Sequence, residues 1–372
     1  MNILFLNSID ESTYGGMEEW IRLVAIGLRA HGHTVTVAGR KRSLFLERLG
    51  RTSPEIPLLP LNISGDFNPA TILSIKKFVE REQVDIVVPN FNKDVRLGGL
   101  AARWSGQAQV VWSVAVDLTR DSALHWLLTA KLVDSVIVPS QSLKHRITRL
   151  GYIPDEIVEV IPIGIPDTNH RAADPESRPR LRAKYSFPPK CTVAITVGRL
   201  VDEKGHRYLM DAIPELIREF PTLYFLWLGS GPLEAELREK ARQLGIESRV
   251  LFAGTQETVA EDLAGADLMI HPSTQDTFPI AILEGMRAGL PILATRVGGI
   301  PEELGEEYEY LIASGEGAAI VTAAKQLLKR PDIARVGAVG RERWAKMFRL
   351  EEMQDRVEAY LSRILRTEPH HG

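Results

Sequence analysis

The first forty residues combine short apolar runs with apolar positions at helical spacing. Asn2 to Leu6 is an apolar run that predicts a strand, and the loop Asn7 to Gly16 follows it. From Met17 to His31 the apolar side chains recur every three or four residues, at Trp20, Leu23, Val24 and Leu28. Thr34 to Ala38 then predicts a second strand. Strand, glycine loop, helix and strand form a βαβ unit, which predicts a parallel sheet.

The same alternation continues and divides the chain in two. Residues 1–165 and 191–348 each carry a strand-and-helix series, which predicts two tandem Rossmann-like domains. Residues 166–190 are polar and proline-rich, with a short helical piece, and predict a linker. A last helix, about 350–366, has one apolar face suited to docking back on the first domain. The predicted fold class is α/β, with two parallel sheets facing an interdomain cleft.

Composition narrows the class of protein. The 372 residues carry 45 Lys and Arg against 48 Asp and Glu, and a net charge of −3 provides no field that recruits nucleic acid. The single cysteine, Cys191, excludes an intramolecular disulfide and disfavours a cysteine-based metal site. No run approaches the roughly 20 apolar residues of a membrane span. The first residues predict a strand rather than a signal peptide, so we expect a cytoplasmic protein.

Two acids eight positions apart are the most informative pair. Asp276 and Glu284 lie in DTFPIAILEGMRAGLP. Pro279 suits the first turn of a helix, because its missing N–H would be unbonded there, and Asp276 or Thr277 is a good N-cap. This helix leaves the strand predicted at Leu268 to His271, at the sheet edge where α/β proteins bind phosphate and polyol ligands. Taken alone, a cap and a solvated helix residue explain the pair as well.

A loop with two cations follows the strand Cys191 to Val197. In GRLVDEKG, Arg199 and Lys204 are five positions apart. A guanidinium binds phosphate oxygens in a forked geometry and a lysine adds a mobile charge, so together they suit a diphosphate. The alternative is a solvated loop in which Arg199 pairs with Asp202 or Glu203.

Two further loops place glycines between a strand and a helix. Gly15 and Gly16 precede the first helix, where glycine lets backbone N–H groups approach an anion. Gly231, in GSGP, could likewise accept a ring or a phosphate. A plain turn explains each loop equally well. The chain lacks G-x-G-x-x-G and Walker motifs, which disfavours a nicotinamide or P-loop site.

The motifs together resemble a known family. The glycine pair near the N-terminus, GRLVDEKG, LGSGPLEAEL, RVLFAG and PSTQDTFPIAILEGMRAGLPILATRVGG are similar to those of GT-B glycosyltransferases. They are most similar to the large retaining family 4, whose bacterial members build surface polysaccharides and glycolipids. The resemblance is strongest over 195–303 and weaker over 40–165, where acceptors are usually bound. It implies a sugar transferred from a nucleotide-diphosphate sugar to a glycan or a lipid-linked acceptor.

The resemblance also implies roles by position. Arg199 and Lys204 would bind the donor diphosphate and stabilise its charge as it leaves. Asp276 would hold hydroxyls of the donor sugar, and Glu284 the nucleotide ribose. The backbone of Phe278, Pro279 and Ile280 would cover the sugar and the phosphate, with Gly231 beside them. Gly15 and Gly16 would face the diphosphate from the other domain.

Three departures from the family pattern bear on the chemistry. Asp276 stands where the family usually has Glu, which shortens the reach to the sugar and leaves the donor sugar open. Pro279 stands where many members have Gly. Many members also carry a histidine after the strand that matches Val110 to Val116, which is missing here. Asp117 or His125 could substitute for it, or the departing diphosphate could itself take the acceptor's proton.

The acceptor side and possible cofactors follow from the same reading. Asn90, Lys93 and Asp94 follow the strand predicted at Val84 to Pro89 and, with Asp117, are candidates for acceptor contacts. A solvated loop is the alternative. The chain has no D-x-D motif, so we expect neither a metal nor another cofactor.

A basic segment suggests a membrane contact, and two rival functions stay open. Arg40 to Arg42, followed by Leu44, Phe45, Leu46 and Leu49, could touch anionic lipid at the inner face of the cell membrane. An ordinary surface helix is the alternative. The rivals to a transferase are a sugar-nucleotide-binding protein without turnover and a GT-B-type epimerase. The base, the sugar and the acceptor cannot be read from the motifs.

Overall fold

The structure is a computed structural model that describes the following residues: 1–9, 14–115, 123–167 and 174–366. It groups the chain into two compact units. Unit 1 consists of Met1–Gly164 and the residues from Leu350 onward, and unit 2 of Ile165–Arg349. The chain therefore leaves unit 1 once and returns to it. In the described ranges, no helix is long and apolar enough to cross a bilayer.

Unit 1 contains a sheet of seven parallel strands, β1 Asn2–Asn7, β2 Thr34–Arg40, β3 Leu58–Leu61, β4 Ile86–Pro89, β5 Gln109–Ser113, β6 Ser135–Val138 and β7 Val158–Val160. Their order in the sheet is β3-β2-β1-β4-β5-β6-β7. Its helices are α1 Gly16–Ala30, α2 Leu44–Thr52, α3 Pro69–Glu82, α4 Asn92–Ser105, α5 Ala123–Leu132, α6 Gln141–Thr148 and, after unit 2, α15 Leu350–Arg366. Ile3 to Leu6 are fully buried, as expected for a parallel strand covered by helices on both faces.

The C-terminal helix α15 packs on α1 in unit 1. Its apolar face is buried at Met353, Val357, Tyr360 and Leu361. Gln354 donates a hydrogen bond to the carbonyl of Leu23 at 2.7 Å. A Cβ on Gly27 would lie 2.3 Å from the Gln354 side chain, so the glycine lets the two helices approach. The helical spacing seen in the sequence thus corresponds to a buried helix–helix contact.

Unit 2 contains a sheet of six parallel strands, β8 Thr192–Val197, β9 Leu223–Leu228, β10 Val250–Phe252, β11 Leu268–His271, β12 Ile292–Thr295 and β13 Leu311–Ile312. Their order is β10-β9-β8-β11-β12-β13. The helices are α7 Ser177–Lys184, α8 His206–Glu219, α9 Glu234–Gln243, α10 Ala260–Gly265, α11 Ile280–Ala288, α12 Ile300–Leu304, α13 Gly317–Leu328 and α14 Ile333–Met347. Two parallel α/β sheets of this kind make up the GT-B fold class that the motifs predict.

The segment interpreted as a linker, 166–190, groups with unit 2 in its described part. Its helix α7 buries Leu181 and Arg182. The Arg182 guanidinium donates to the carbonyls of Gly265 and Cys191, at 2.7 and 2.8 Å, and to the carboxylate of Asp267. A buried arginine with three acceptors outside its own helix fastens this segment to the rest of unit 2, although its polar composition favours a free connection.

Both sheets reverse their strand order once beside the first strand of the unit. In unit 1 the reversal lies between β1 and β4, and in unit 2 between β8 and β11. Loops that leave two adjacent strands in opposite directions open a crevice at the carboxyl edge, where ligands of α/β proteins bind. Arg199 and Lys204 follow β8, Asp276 follows β11, and Asn90, Lys93 and Asp94 follow β4.

Candidate active site

The loops at the carboxyl edge of the unit 2 sheet are held together by backbone hydrogen bonds. The N–H of Leu200, after β8, donates to the carbonyl of Ser230, after β9, at 3.0 Å. The N–H of Thr274, after β11, donates to the carbonyl of Glu203 at 2.8 Å. Because each loop supports the next, the edge is a preformed surface.

Two glycines in these loops allow backbone contacts that a side chain would block. A Cβ on Gly231 would lie 2.4 Å from the carbonyl oxygen of Leu200. A Cβ on Gly298, after β12, would lie 1.5 Å from the carbonyl oxygen of Asp276, and Gly298 also has a positive φ of 54°. Gly231 therefore has a packing reason to be glycine at the place where the sequence proposes a ligand contact.

Lys204 and Asp276 meet at the switch point of the unit 2 sheet. The Nζ of Lys204, after β8, lies 2.5 Å from Oδ2 of Asp276, after β11. The same oxygen lies 3.0 Å from Nε2 of His271 and accepts from the Ser273 hydroxyl at 3.1 Å. Within the described part of the chain, Oδ1 of Asp276 has no such contact. One carboxylate oxygen is therefore saturated and the other is available.

The charges of this cluster follow from its burial. Burial alone would raise the pKa of Asp276, but the Lys204 cation and the hydrogen bond from His271 outweigh it and hold that pKa well below the usual range. Burial lowers the pKa of His271 below its ordinary value, although Asp276 opposes this. The cluster therefore contains an ionised Asp276 next to a neutral imidazole and the Lys204 cation.

A second carboxyl near this cluster has a different environment. Glu303 on α12 is fully buried, and neither of its carboxyl oxygens has a hydrogen-bond partner in the part of the chain that the structure describes. Burial, followed by the charge of Asp276, raises its pKa well above the usual range. Glu303 is consequently held as the neutral acid.

Arg199 lies on the same loop as Lys204, but its side chain is exposed. It forms no ion pair with Asp202 or Glu203, so the alternative in which either acid neutralises it is wrong. Asp202 instead accepts from Arg207. The Arg199 cation is therefore uncompensated by these neighbouring acids.

Helix α11 begins at Ile280, one residue later than the sequence suggests. Pro279 is its N-cap rather than its first helical residue, and no side chain caps this end, so assigning the cap to Asp276 or Thr277 was wrong. Oδ2 of Asp276 is bonded to Lys204 instead of to the N–H groups at the start of the helix. The first N–H groups of a helix lack intrahelical partners, so this end offers free donors to an anion.

The remaining residues predicted in and just before this helix differ in burial. Phe278 is buried and packs edge-on against Phe348, with ring centroids 5.9 Å apart. Ile280 and Glu284 are half-buried. Phe278 therefore anchors the backbone before α11, which leaves the adjoining main chain rather than the ring for ligand contacts.

At the unit 1 switch point, the glycine pair is tied to a buried carboxylate. The N–H of Gly15 donates to Oε2 of Glu18 at 2.9 Å, and the amide of Asn7 donates to Oε1 at 2.9 Å. Gly15 has an extended backbone that any residue can adopt, and Gly16 begins α1. Since the Gly15 N–H already has a partner within the unit, it is not free for an anion.

Lys93 and Asp94 lie in the first turn of α4, which begins at Asn92. Asp94 is fully buried, so the alternative of a solvated loop is wrong. Its Oδ2 accepts from the N–H groups of Ser8 and Phe91, at 3.1 and 3.0 Å. Burial raises the pKa of Asp94 to about 6, and the hydrogen bonds from Ser8 only partly oppose it.

Asn90 and Lys93 complete this edge. Asn90 is fully buried, and among the described residues neither the oxygen nor the nitrogen of its side-chain amide has a hydrogen-bond partner. Lys93 is half-buried, with its Nζ 3.8 Å from Oδ1 of Asp66. Asp117 lies outside the described residues, and His125 lies on α5 beside the ring of Phe67.

Metal-ligand spacing occurs at a different edge. In the described part of the chain, His31, Asp355 and Glu358 bring ligand atoms within 4.8 Å of one another. Glu358 bonds to His31 at 2.6 Å and to His33 at 2.8 Å. These residues join α15 to the loop before β2, at the amino edge of the sheet. The contacts of Glu358 with His31 and His33 attach α15 to the rest of unit 1, so a metal is not needed to explain why these side chains lie together.

Sequence reasoning missed three members of the unit 2 cluster. His271 and Ser273 stand in HPS directly after β11, and Glu303 follows the Gly-Gly turn after β12. The position of HPS at a strand end was a usable signal, because such residues face the carboxyl edge. Nothing in the sequence marks Glu303, since a glutamate in a short helix is usually solvated.

Comparisons with known proteins agree with the geometry. The family model for group 1 glycosyl transferases matches residues 191–330, and the model for glycosyltransferase family 4 matches residues 14–169. Together the two models match about four fifths of the chain.

Similar proteins include enzymes and a solved structure. The GDP-mannose-dependent alpha-(1-6)-phosphatidylinositol monomannoside mannosyltransferase of Mycolicibacterium smegmatis is 27% identical over 89% of this chain and 90% of the relative. The N-acetyl-alpha-D-glucosaminyl L-malate synthase of Bacillus anthracis is 32% identical, over 50% of this chain and 49% of the relative. The crystal structure of Anabaena HepE with UDP and glucose superimposes with a TM-score of 0.85, at 21% identity, over 97% of this chain and 99% of the other.

The fold, the motif order and both family matches lead to one conclusion. The chain belongs to the family 4 glycosyltransferases of the GT-B type, and it is a glycosyltransferase.

Proposed function

We propose that the protein transfers a sugar, with retention of configuration, from a nucleotide-diphosphate sugar bound by unit 2. The observation that carries this proposal is the Lys204–Asp276 pair at the switch point between β8 and β11. A cation and a carboxylate lie side by side there. A nucleotide-sugar donor needs both, because its diphosphate is negatively charged and its sugar carries hydroxyl groups. Relatives act on GDP-mannose, and HepE was crystallised with UDP and glucose, which supports this donor class.

The diphosphate would be bound by charge and by helix geometry. Lys204 carries one cation, Arg199 adds a second that neighbouring acids leave uncompensated, and α11 presents unbonded N–H groups at its start. When the bond between the sugar and the diphosphate breaks, negative charge grows on the leaving oxygen. Groups placed in advance around that charge lower the barrier without rearranging during the reaction.

The sugar would be held by Asp276. Its Oδ2 is fixed by Lys204, His271 and Ser273, which leaves Oδ1 to accept a sugar hydroxyl. A carboxylate held on one oxygen keeps the other in a fixed position. We propose that Asp276 thereby fixes the sugar relative to the bond that breaks.

The proposed transfer step needs no metal. The bond from the anomeric carbon to the leaving phosphate oxygen breaks, the bond to the acceptor oxygen forms on the same face, and the acceptor's proton passes to the departing phosphate. Lys204 and Arg199 supply the charge compensation that a metal gives elsewhere.

We assign the acceptor to unit 1. Asn90, Lys93 and Asp94 lie at its switch point, and the buried side-chain amide of Asn90 has no hydrogen-bond partner within the described ranges. The acceptor class is a glycan or a lipid-linked acceptor of cell-surface polysaccharide or glycolipid synthesis, acted on at the cytoplasmic side. Phe45, Leu46 and Leu49 of α2 are buried in unit 1, so the proposed access to a lipid-linked acceptor does not involve inserting these side chains into the membrane.

Ligand-dependent thermal unfolding tests the donor assignment. Wild-type protein is screened against UDP-, GDP- and ADP-sugars, since a ligand that binds only the folded state raises Tm. We expect one nucleotide class to raise Tm in the wild type and not in Asp276→Asn. No shift with any nucleotide sugar would contradict the proposal.

Product analysis tests the reaction. NMR of the glycoside formed from an α-configured donor should show an α-linkage, and turnover should survive EDTA. A β-linkage would overturn the retaining assignment, and loss of turnover restored by a divalent cation would overturn metal independence.

A further inference from the structure

A basic pocket lies at the carboxyl edge of the unit 1 sheet, outside the residues assigned above to the donor and to the acceptor. It has a volume of about 330 Å³. It is lined by Arg40 to Arg42, at the end of β2 and just after it, and by Leu61 to Ser64, at the end of β3 and just after it. Ligand pockets begin near this size. The pocket can therefore hold a tetrahedral anion with part of the group to which it is bonded.

The three cations of this pocket lack acidic partners. Arg40 donates through Nε to the carbonyl of Ser8 at 3.0 Å and through a second nitrogen to the carbonyl of Ile63 at 2.6 Å. Two neutral acceptors hold its guanidinium in place without cancelling its charge. Lys41 and Arg42 are exposed, and within the described residues they form no ion pair. About three positive charges thus converge on one concave surface.

Neutral donors complete a phosphate-like lining. Asn62 offers an exposed amide. The Ser64 hydroxyl accepts from the Asn68 amide at 2.6 Å, so its own proton remains to be donated. Arginine, lysine, amide and hydroxyl donors around one pocket are the set that binds phosphate oxygens, because charge-assisted hydrogen bonds to them are strong.

Hydrogen bonds connect this pocket to the proposed acceptor edge. Arg40 donates to the carbonyl of Ser8, and the N–H of Ser8 donates to Asp94 at the switch point. The carboxyl ends of β2, β1 and β4 are consecutive in the sheet. A molecule anchored in the pocket would therefore extend along the edge toward Asn90 and Asp94.

We propose that the pocket formed by Arg40 to Arg42 and Leu61 to Ser64 binds a phosphate group of the acceptor. The acceptor class is thereby narrowed to phosphorylated molecules, either a soluble phosphorylated glycan or a phospholipid headgroup. The role of the phosphate as an acceptor anchor rests on the proposed function. Phosphate binding by the pocket does not.

Calorimetric titration at constant ionic strength tests the binding step. Glycerol phosphate is titrated into the full-length wild type and into Lys41→Ala/Arg42→Ala, whose altered side chains are exposed and do not support the core. The control is Lys77→Ala/Lys190→Ala, which removes the same charge from two other exposed positions. We expect the pocket variant to weaken binding by about tenfold or more, because it loses charge-assisted hydrogen bonds, and the control to bind as the wild type does.

Two further arms separate the possible sources of the signal. Lys204→Met removes a cation of the donor site and should leave glycerol phosphate binding in place. Flotation with vesicles of anionic phosphatidylglycerol, against neutral phosphatidylcholine, identifies a lipid source if the wild type floats and the pocket variant does not. Glycerol phosphate binding without flotation identifies a soluble source.

The outcomes are separable from those of the transferase proposal. Binding that is absent in the wild type, unchanged in Lys41→Ala/Arg42→Ala or lost in Lys204→Met would overturn the phosphate pocket. Slow hydrolysis of the donor in the absence of acceptor depends on the donor site alone. The rate of this hydrolysis should therefore be equal in the wild type and in the pocket variant. Failure of that hydrolysis in both would count against the proposed function and not against the pocket.

Discussion

Asp276 in unit 2 and Asp94 in unit 1 stand at corresponding places in their sheets, beside the single reversal of strand order. Both carboxyl groups are almost completely removed from water, and each accepts hydrogen bonds on Oδ2. Asp276 has a lysine at 2.5 Å and stays ionised, with its pKa lowered. Asp94 accepts hydrogen bonds from neutral donors such as the N–H groups of Ser8 and Phe91, and burial raises its pKa to about 6.

The comparison shows how one topology supports two kinds of site. Burial penalises a charge unless a partner compensates it, and the partner depends on the loop that leaves the neighbouring strand. In unit 2 that loop is GRLVDEKG, which brings Lys204. In unit 1 it leads to Gly15 and Glu18 and brings no cation to Asp94. We therefore expect the charged surroundings of Asp276 to suit a diphosphate, and the more neutral surroundings of Asp94 to suit hydroxyl groups.

The largest expected effect is loss of the cation at the charged edge. Lys204→Met should lower kcat by about 10²–10³, the scale for one group that stabilises growing charge. Steady-state kinetics and Tm are measured together, because an unpaired Asp276 also destabilises the fold. Lys190→Met, an exposed position in the same unit, is the matched control and should keep wild-type turnover. Equal turnover in both variants would refute the role of Lys204.

Burial of Asp94 should make the free energy of unfolding depend on pH. The folded pKa of Asp94, about 6, lies above its unfolded value of 3.8. Its stabilising contribution is therefore complete below pH 4 and is lost as pH rises through 6, by about 3 kcal/mol for a shift of two units. Asp94→Asn, which retains the acceptor for Ser8 and Phe91, should gain that amount relative to wild type between pH 4 and 7.

Urea denaturation at several pH values measures this difference. Asp276→Asn provides the contrast, since a lowered folded pKa gives stability that is present above the unfolded value and lost below it. Its difference from wild type should stay constant from pH 5 to 7 and shrink only below about pH 4. Parallel profiles for the two variants would show that the edges do not differ as described.

Gly231→Ala should push apart the loops that follow β8 and β9 in unit 2. The added Cβ meets backbone atoms of Leu200, which cannot rotate away, so we expect a loss of stability of roughly 2 kcal/mol and weaker donor binding. Gly340→Ala, where the nearest atom is 3.8 Å away inside a helix, is the control and should be neutral or slightly stabilising. Unchanged donor affinity in Gly231→Ala would show that the loop contact is dispensable.

Glu303→Leu should have the smallest effect, and a stabilising one. Its raised folded pKa means that wild-type stability falls as pH rises above the unfolded value, and neither oxygen has a partner to lose. We expect a gain of about 1 kcal/mol at pH 7 and less near pH 4.5. Glu307→Leu, on the exposed loop that follows, should show no such pH trend in thermal unfolding. A destabilised Glu303→Leu would indicate a structural role for this acid.

The succession of short apolar runs and helical patterns predicted most strands of both sheets, because strands that are buried on both faces are nearly continuous apolar runs. It missed α3, although Asn68 caps that helix and Pro69 opens it, which is a recognisable start signal. It also placed the start of α11 one residue early, since Asp276 looks like a cap when its partner Lys204 is 72 positions away. Local signals cannot include such distant partners.

The sequence singled out Lys204 and Asp276, but it did not single out their neighbours His271, Ser273 and Glu303 or predict the charge state of the acids. Motif order brings Lys204 and Asp276 into one family pattern, and the structure joins them by an ion pair. The state of each carboxyl depends on burial and on partners from other strands, which spacing alone does not contain. Glu303 and Asp94 illustrate this, because each reads as a solvated acid in the sequence and is fully buried in the fold.

A double-mutant cycle on kcat/KM tests most directly whether Lys204 and Asp276 act as one unit. Lys204→Met, Asp276→Asn and the double variant are compared with the wild type under identical donor and acceptor conditions. If the pair forms a single coupled site, the double variant should lose little more than the more damaged single variant. Losses that multiply would show that the two residues act independently and would contradict the account.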